Sequence, residues 1–259
     1  PQPQPTQQSN LVGYTGTVSI NSGTLVVNRL PNSIPDHETF QIVFNPIGNS
    51  RNVYALFGGG VTRQEFKCPA AFQSTSIFAK NIGGINQNMY PIEPELEYDS
   101  WLSIGLTQGI VDGELSSIGM DLESWTENSE FHIPPEDEVG GAVFWMNPDN
   151  APDNNIVLAQ FTLPKSRQGV SQFKGGLQGR SINGNDWQDT FSIDMPPPDQ
   201  SFVGTVPTIQ PTTIQPTPTL APTQVEQQLL TNGSGTLDVV KLSNSIPDHE
   251  TFQIVFNPI

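Results

Sequence analysis

Sixteen consecutive residues of this chain occur twice. Asn32-Ser-Ile-Pro-Asp-His-Glu-Thr-Phe-Gln-Ile-Val-Phe-Asn-Pro-Ile47 returns letter for letter at 244–259, a shift of 212 residues. Upstream the match is looser: Ser22-Gly-Thr-Leu25 returns as Ser234-Gly-Thr-Leu237, and Asn28-Arg-Leu30 as Val240-Lys-Leu242. Chance does not produce such identity, so the sequence reads as one complete unit and the opening strands of a second, a period of a tandem array. The second copy, at 229–259, is too short to bury the surface that would offset its own ordering entropy. It is therefore expected to continue into a further domain or to complete a sheet in another copy. The expected organisation is the end of a preceding linker at 1–8, a complete unit at 9–196, a Pro/Thr-rich linker at 197–228 and the first strands of the next unit at 229–259.

The connector has its own chemistry. Residues 205–223 carry seven Thr and five Pro, and no charge falls between Asp199 and Glu226. Prolines at this density hold a chain near polyproline II, in which about 28 residues reach about 85 Å, more than a domain diameter. Thr/Pro-rich stalks are typical O-glycan acceptors, which makes Thr208, Thr212, Thr213, Thr217 and Thr219 candidate sites and implies secretion. Asn232-Gly233-Ser234 is an N-glycosylation sequon. Val206, Ile209, Ile214 and Leu220 punctuate the stretch, so an ordered linker packed on a neighbouring domain stands beside a disordered tether.

Within the unit the signals are strand signals. Thr39-Phe-Gln-Ile-Val-Phe44, Asn52-Val-Tyr-Ala-Leu-Phe57, Tyr98-Asp-Ser-Trp-Leu-Ser-Ile-Gly-Leu106, Ala142-Val-Phe-Trp-Met146 and Ile156-Val-Leu-Ala-Gln-Phe-Thr-Leu163 are short and β-branched or aromatic. Gly179-Arg-Ser-Ile182 and Asp186-Trp-Gln-Asp-Thr-Phe-Ser-Ile193 flank Asn183-Gly184, a strong hairpin signal. With 23 Gly and 24 Pro and no clean 3.6-residue periodicity, the expected class is all-β. Nine or ten short strands predict a two-sheet β-sandwich or jelly roll, repeated in a tandem array.

Charge removes several partners. Ten Lys and Arg against 26 Asp and Glu leave a net charge of −16, which repels nucleic-acid phosphates and anionic membrane surfaces. No apolar run approaches the roughly 18 residues of a membrane span. No P-loop, GxGxxG, GxSxG or HExxH is present, so no catalytic residue is assigned. Asp36, His37 and Glu38 are adjacent on an extended segment and point to opposite faces, so they cannot converge on one ion. With Gln41 they are expected at the surface.

No cofactor is implied other than calcium. Glu93, Glu95, Glu97 and Asp99 fall at alternate positions, and an extended strand would project all four from one face. Residues 147–155, which include Asp149 and Asp153, are dense in the side-chain oxygens calcium takes. A solvated acidic face is the alternative at both places. The four tryptophans are expected mainly in the core, with a sugar-stacking platform as the other reading. Cys68, the sole cysteine, is either a buried free thiol or a thiol pairing between copies. Gly23-Thr-Leu-Val-Val-Asn-Arg-Leu30 reads as a further strand. Residues 15–30 and their image at 229–242 are expected to contribute to contacts between domains or chains more than to their own core.

The motifs Tyr98-Asp-Ser-Trp-Leu-Ser-Ile-Gly-Leu106, Ile118-Gly-Met-Asp-Leu122 and Gly184-Asn-Asp-Trp187, with the Pro/Thr linker, resemble secreted tandem-repeat β-domains of modular extracellular and cell-surface proteins from microalgae and aquatic bacteria. That resemblance implies secretion and modularity and no particular activity. The expected function is a non-catalytic structural repeat subunit of an extracellular filament, sheath or adhesive fibre, whose partners are other copies of itself. The alternative is a multivalent carbohydrate-binding or cell-adhesion module that meets extracellular polysaccharide.

Overall fold

A computed structural model describes residues 15–109 and 114–198, and the strands at 230–232, 235–242 and 251–258. The chain divides into two units, Pro1–Val203 and Gly204–Ile259. Among the described residues the first unit is all-β, with 12 strands, short 3-10 turns and no α-helix.

Two antiparallel sheets form the first unit. The first is built from β1 (Thr15–Ile20), β2 (Gly23–Leu30), β3 (His37–Pro46), β10 (Ile156–Pro164) and the two-residue β6 (Trp101–Leu102), in the order β1-β2-β3-β10-β6. Alternation along β3 turns Phe40, Ile42 and Phe44 inward, and all three are fully buried. Leu25 and Val27 of β2 lie beside them in the core, opposite Phe44 and Ile42 in the register.

The second sheet is curled and centres on β11 (Gln172–Arg180). One edge of β11 pairs along its whole length with β12 (Asp186–Asp194). The other edge is divided between β4 (Ala55–Gly58), which pairs at Gly176–Gln178, and β5 (Phe66–Cys68), which pairs at Lys174. Beyond these lie β9 (Gly141–Trp145) and β7 (Leu115–Ile118) on one branch, and β8 (Phe131–Ile133) on the other. Glycine makes the tight corner possible: a Cβ on Gly140, at φ +70, would meet the Gly58 carbonyl oxygen at 2.6 Å.

The buried faces of the two sheets share one core. Phe161 of β10 meets Phe173 of β11 with ring centroids 5.0 Å apart, and Phe173 also packs edge-on against Phe66 and Phe191. The opposite face of the first sheet is covered where β3 meets β10. Residues 69–100 pass there, with Phe72 N–H donating to the Thr162 carbonyl and Ser100 Oγ accepting from Thr162 N–H at the β10 edge. Thr39 and Thr162, whose hydroxyls hydrogen-bond at 2.7 Å, are buried beneath this layer.

Several sequence expectations need correction. Of residues 98–106 only Trp101–Leu102 form a strand, because the stretch turns at Gly105, φ +81. The hairpin expected across Asn183-Gly184 is present as β11–β12, but its turn is a five-residue loop between Arg180 and Asp186, where Ser181 Oγ and Asn183 Oδ1 hydrogen-bond. Residues 15–30 are ordinary members of their own sheet: β2 sits between β1 and β3 and supplies core residues.

The second unit is described by three strands, β13 (Leu230–Asn232), β14 (Gly235–Leu242) and β15 (Thr251–Pro258), in one antiparallel meander. Its register repeats that of the first unit. Gly235 faces Pro258 and Leu242 faces Thr251, as Gly23 faces Pro46 and Leu30 faces Thr39.

Candidate functional site

The most connected polar cluster lies where the chain leaves the first unit. Glu38 shares the inward face of β3 with Phe40, and its side chain is only 3% exposed. An isolated carboxylate there would be costly. Two arginines offset that cost: Arg29 of β2 forms an ion pair with it, and Arg167, just past β10, donates from Nη2 to Glu38 Oε2 at 3.0 Å. Both guanidiniums lie over the Phe40 ring, at 5.8 and 5.9 Å from its centroid. Burial, with Arg29 nearby, brings the Arg167 pKa down to about 10. Arg167 also donates to the carbonyls of Pro164 and Pro196, the latter at 2.6 Å. The last residues of the unit are thus tied to the repeated block through one side chain. The expectation that Glu38 is a surface residue is overturned. Its parity with Phe40, Ile42 and Phe44 was the sequence signal that pointed inward.

The acidic run at 93–99 is not a strand. Pro94–Tyr98 form a 3-10 turn, in which the period of three separates alternate residues. Glu95 and Glu97 are exposed, Glu93 is half-buried, and Asp99 is fully buried. Two of the four carboxylates converge on one residue: Ser74 N–H donates to Asp99 Oδ1 at 2.8 Å, and Ser74 Oγ donates to Glu95 Oε1 at 2.9 Å. Asp99 Oδ2 is buried without a hydrogen-bond partner, and burial pushes its pKa up to about 7. Pro94 was the available signal, since proline inside a run argues against a paired strand.

The loop at 147–155 spends its oxygens on the protein. Asn147 Oδ1 accepts from Asp149 N–H, and Asn150 Oδ1 accepts from Trp145 Nε1 at 2.9 Å. Asp149 Oδ1 pairs with Arg180 Nε at 3.1 Å, and the Asp149 carbonyl accepts from Arg51. Asp153 is exposed. Among the described residues, no group of three or more His, Cys, Asp or Glu side chains is placed to hold a metal ion.

Trp101, Trp125 and Trp145 are buried and Trp187 is half-buried. Trp125 Nε1 donates to the Pro69 carbonyl and Trp187 Nε1 to the Arg180 carbonyl, so these indoles serve the fold. Cys68 is fully buried, which lifts its thiol pKa well above 9, so pairing with another copy would require the core to open. His37 stacks edge-on against Phe72, with Nε2 at 3.4 Å from Glu127, and His132 pairs with Glu65. Asn232 closes β13, while Thr208, Thr212, Thr213, Thr217 and Thr219 lie outside the described residues, as does most of the 197–228 linker.

No protein family, curated protein or solved structure matches this chain.

Proposed function

We propose that this chain is a structural, non-catalytic repeat subunit of an extracellular filament, sheath or adhesive fibre, built as a tandem array of sandwich-like β-domains joined by Pro/Thr-rich linkers. The observation that carries the reading is that the repeated block forms the same meander, in the same register, in both units. The Arg167 tie to Pro196 suits a unit that passes tension into a linker, because the exit is held by the same buried carboxylate that holds β2 to β3. The linker threonines named above, with Asn232, are the proposed glycan sites.

Negative-stain microscopy of the purified chain over a concentration series tests the reading. Long unbranched filaments support it. Isolated particles at every concentration, together with saturable binding on a glycan array, would replace it with the carbohydrate-binding alternative.

A further inference from the structure

The first unit is entered and left at one end of its strands. Thr15, the first residue of β1, lies opposite Asn28 of β2, and Leu30 at the end of β2 lies opposite Thr39 of β3. His37 lies opposite Pro164, the last residue of β10, and Gln172 of β11 lies opposite Asp194, the last residue of β12. Arg167 closes this end by donating to Glu38 of β3 and to the Pro196 carbonyl, and Met195 N–H donates to the Ser171 carbonyl. The opposite end holds the turn from Ile20 to Gly23, Pro46 beside Gly23, and the 181–185 loop, whose Ile182 N–H donates to the Asn49 carbonyl.

Entry and exit are held unequally. At the exit, Arg167 ties Pro196 to a buried carboxylate that Arg29 also holds. At the entry, β1 is an edge strand paired with β2, and its Val18 and Ile20 are only half-buried. Antiparallel hydrogen bonds run perpendicular to the strands, so a force across the strand ends opens them one after another, while a force along the strands loads them together. Tension between Thr15 and Pro196 acts across the strand ends. The β1–β2 turn then changes that geometry. Once β1 has left, the load enters at Ser22-Gly23, at the other end of the sheet, and pulls along β2 against its eight register pairs with β3. Ser22 is anchored there, its N–H and Oγ donating to Asp189 Oδ2 at 2.8 and 2.9 Å.

We propose that β1 is a force-yielding strand: under tension through the chain on either side of the unit it unzips from β2 as far as Ser22, and the remaining strands then carry the load in shear. Residues 15–21 add about 25 Å of slack, at about 3.3–3.6 Å per residue, while Leu25 and Val27 keep their places in the core. When tension falls, the anchored turn at Ser22 returns β1 to its register. The same hairpin recurs where Leu230–Asn232 meet Leu237–Gly235, as a device belonging to the repeat would. Loading from both sides is what the proposed filament would impose, but stretching single molecules tests the device without any filament.

The 259-residue chain is stretched in optical tweezers between handles on Thr15→Cys and Pro197→Cys; Pro197 is exposed, and Cys68 is buried and takes no handle. Two events are expected. A reversible lengthening of some tens of Å comes first at low force, and unfolding of the unit follows at higher force with a gain of about 600 Å. Moving the entry handle to the exposed Asn21, as Asn21→Cys, should abolish the first event and leave the second at its force. A single event from Thr15, at the force found from Asn21, overturns the proposal. So does a first event that unfolds the whole unit, or one that persists unchanged from Asn21. A chain that forms no filament should still give both events, so the device and the filament fail separately.

Discussion

Glu38 and Arg167 stand 129 positions apart in the chain, yet Arg167 Nη2 donates to Glu38 Oε2 at 3.0 Å inside the first unit. Arg29 holds the same carboxylate from β2, so one buried anion ties the adjacent strands β2 and β3 to a segment remote in sequence. Removing one member of such a group leaves uncompensated charge in the interior.

Glu38→Ala should therefore destabilise the first unit by about 3–5 kcal/mol, since two arginines lose their common anion. Arg167→Ala should cost less, because Arg29 still pairs with Glu38. It should also raise proteolysis just after Pro196, which loses its donor. Urea melts of both single variants and of the double variant measure the coupling. A double variant whose loss equals the sum of the singles would mean that the two side chains do not act together.

Asp99 gives the fold a pH dependence of unusual sign. Its pKa rises from 3.8 unfolded to about 7 folded, with burial as the main cause, so between those values the folded state holds a proton that the unfolded state has lost. Stability from this group is complete below pH 4 and declines as pH rises through 7, by about 4 kcal/mol at 1.36 kcal/mol per pKa unit. Asp99→Asn keeps an acceptor for Ser74 N–H and carries no charge. The variant should be more stable than the parent at pH 8, with the difference vanishing near pH 4. A difference independent of pH in chelator would refute the assignment. A calcium ion drawn to Glu95 and Asp99 should raise the parent's Tm at pH 8 and leave Asp99→Asn unmoved; identical melts in calcium and chelator would remove calcium from this segment.

The strands that the sequence made legible are those rich in β-branched and aromatic residues. β3 and β12 alternate, β10 is an apolar run buried on both faces, and β9 ends in the aromatic pair Phe144-Trp145. β5, β7 and β8 have three or four residues each and no pattern of their own; they are strands because β11, β9 and β5 lie beside them. The acidic run misled because alternation was read through Pro94, and the structure buries Leu96 and Asp99 while Glu95 and Glu97 stay in solvent. The inward direction of Glu38 was legible from its parity with Phe40, but its partners were not, because Arg167 is reached only through the pairing of β3 with β10. Ser74 as the meeting point of Glu95 and Asp99 depends on the path of residues 69–100, which carries no periodic signal.

Cys68 should behave as an inert core thiol. A chromogenic disulfide reagent should find no reactive thiol in the native chain and one equivalent in urea, because the residue is fully buried and its thiolate strongly disfavoured. Rapid labelling of the native chain, or a disulfide-linked dimer on a non-reducing gel, would restore pairing between copies.

Two truncations separate the roles of β1 and β2. Deleting residues 1–22 removes an edge strand whose Val18 and Ile20 are half-buried, together with the hydrogen bonds from Ser22 to Asp189. The first unit should remain folded at reduced stability. Deleting residues 1–30 also removes Leu25 and Val27 from the core, at about 1.5–3 kcal/mol each, and strips one edge of β3 of eight register pairs. Arg29 goes with them, so Glu38 loses one of its two arginines. Against a total of about 5–15 kcal/mol for a domain, these losses should abolish the cooperative transition. Urea unfolding followed by tryptophan fluorescence reads the first unit selectively, since all four tryptophans lie within it. A cooperative transition in the longer deletion would make β2 a separable arm and return the junction to residues 15–30.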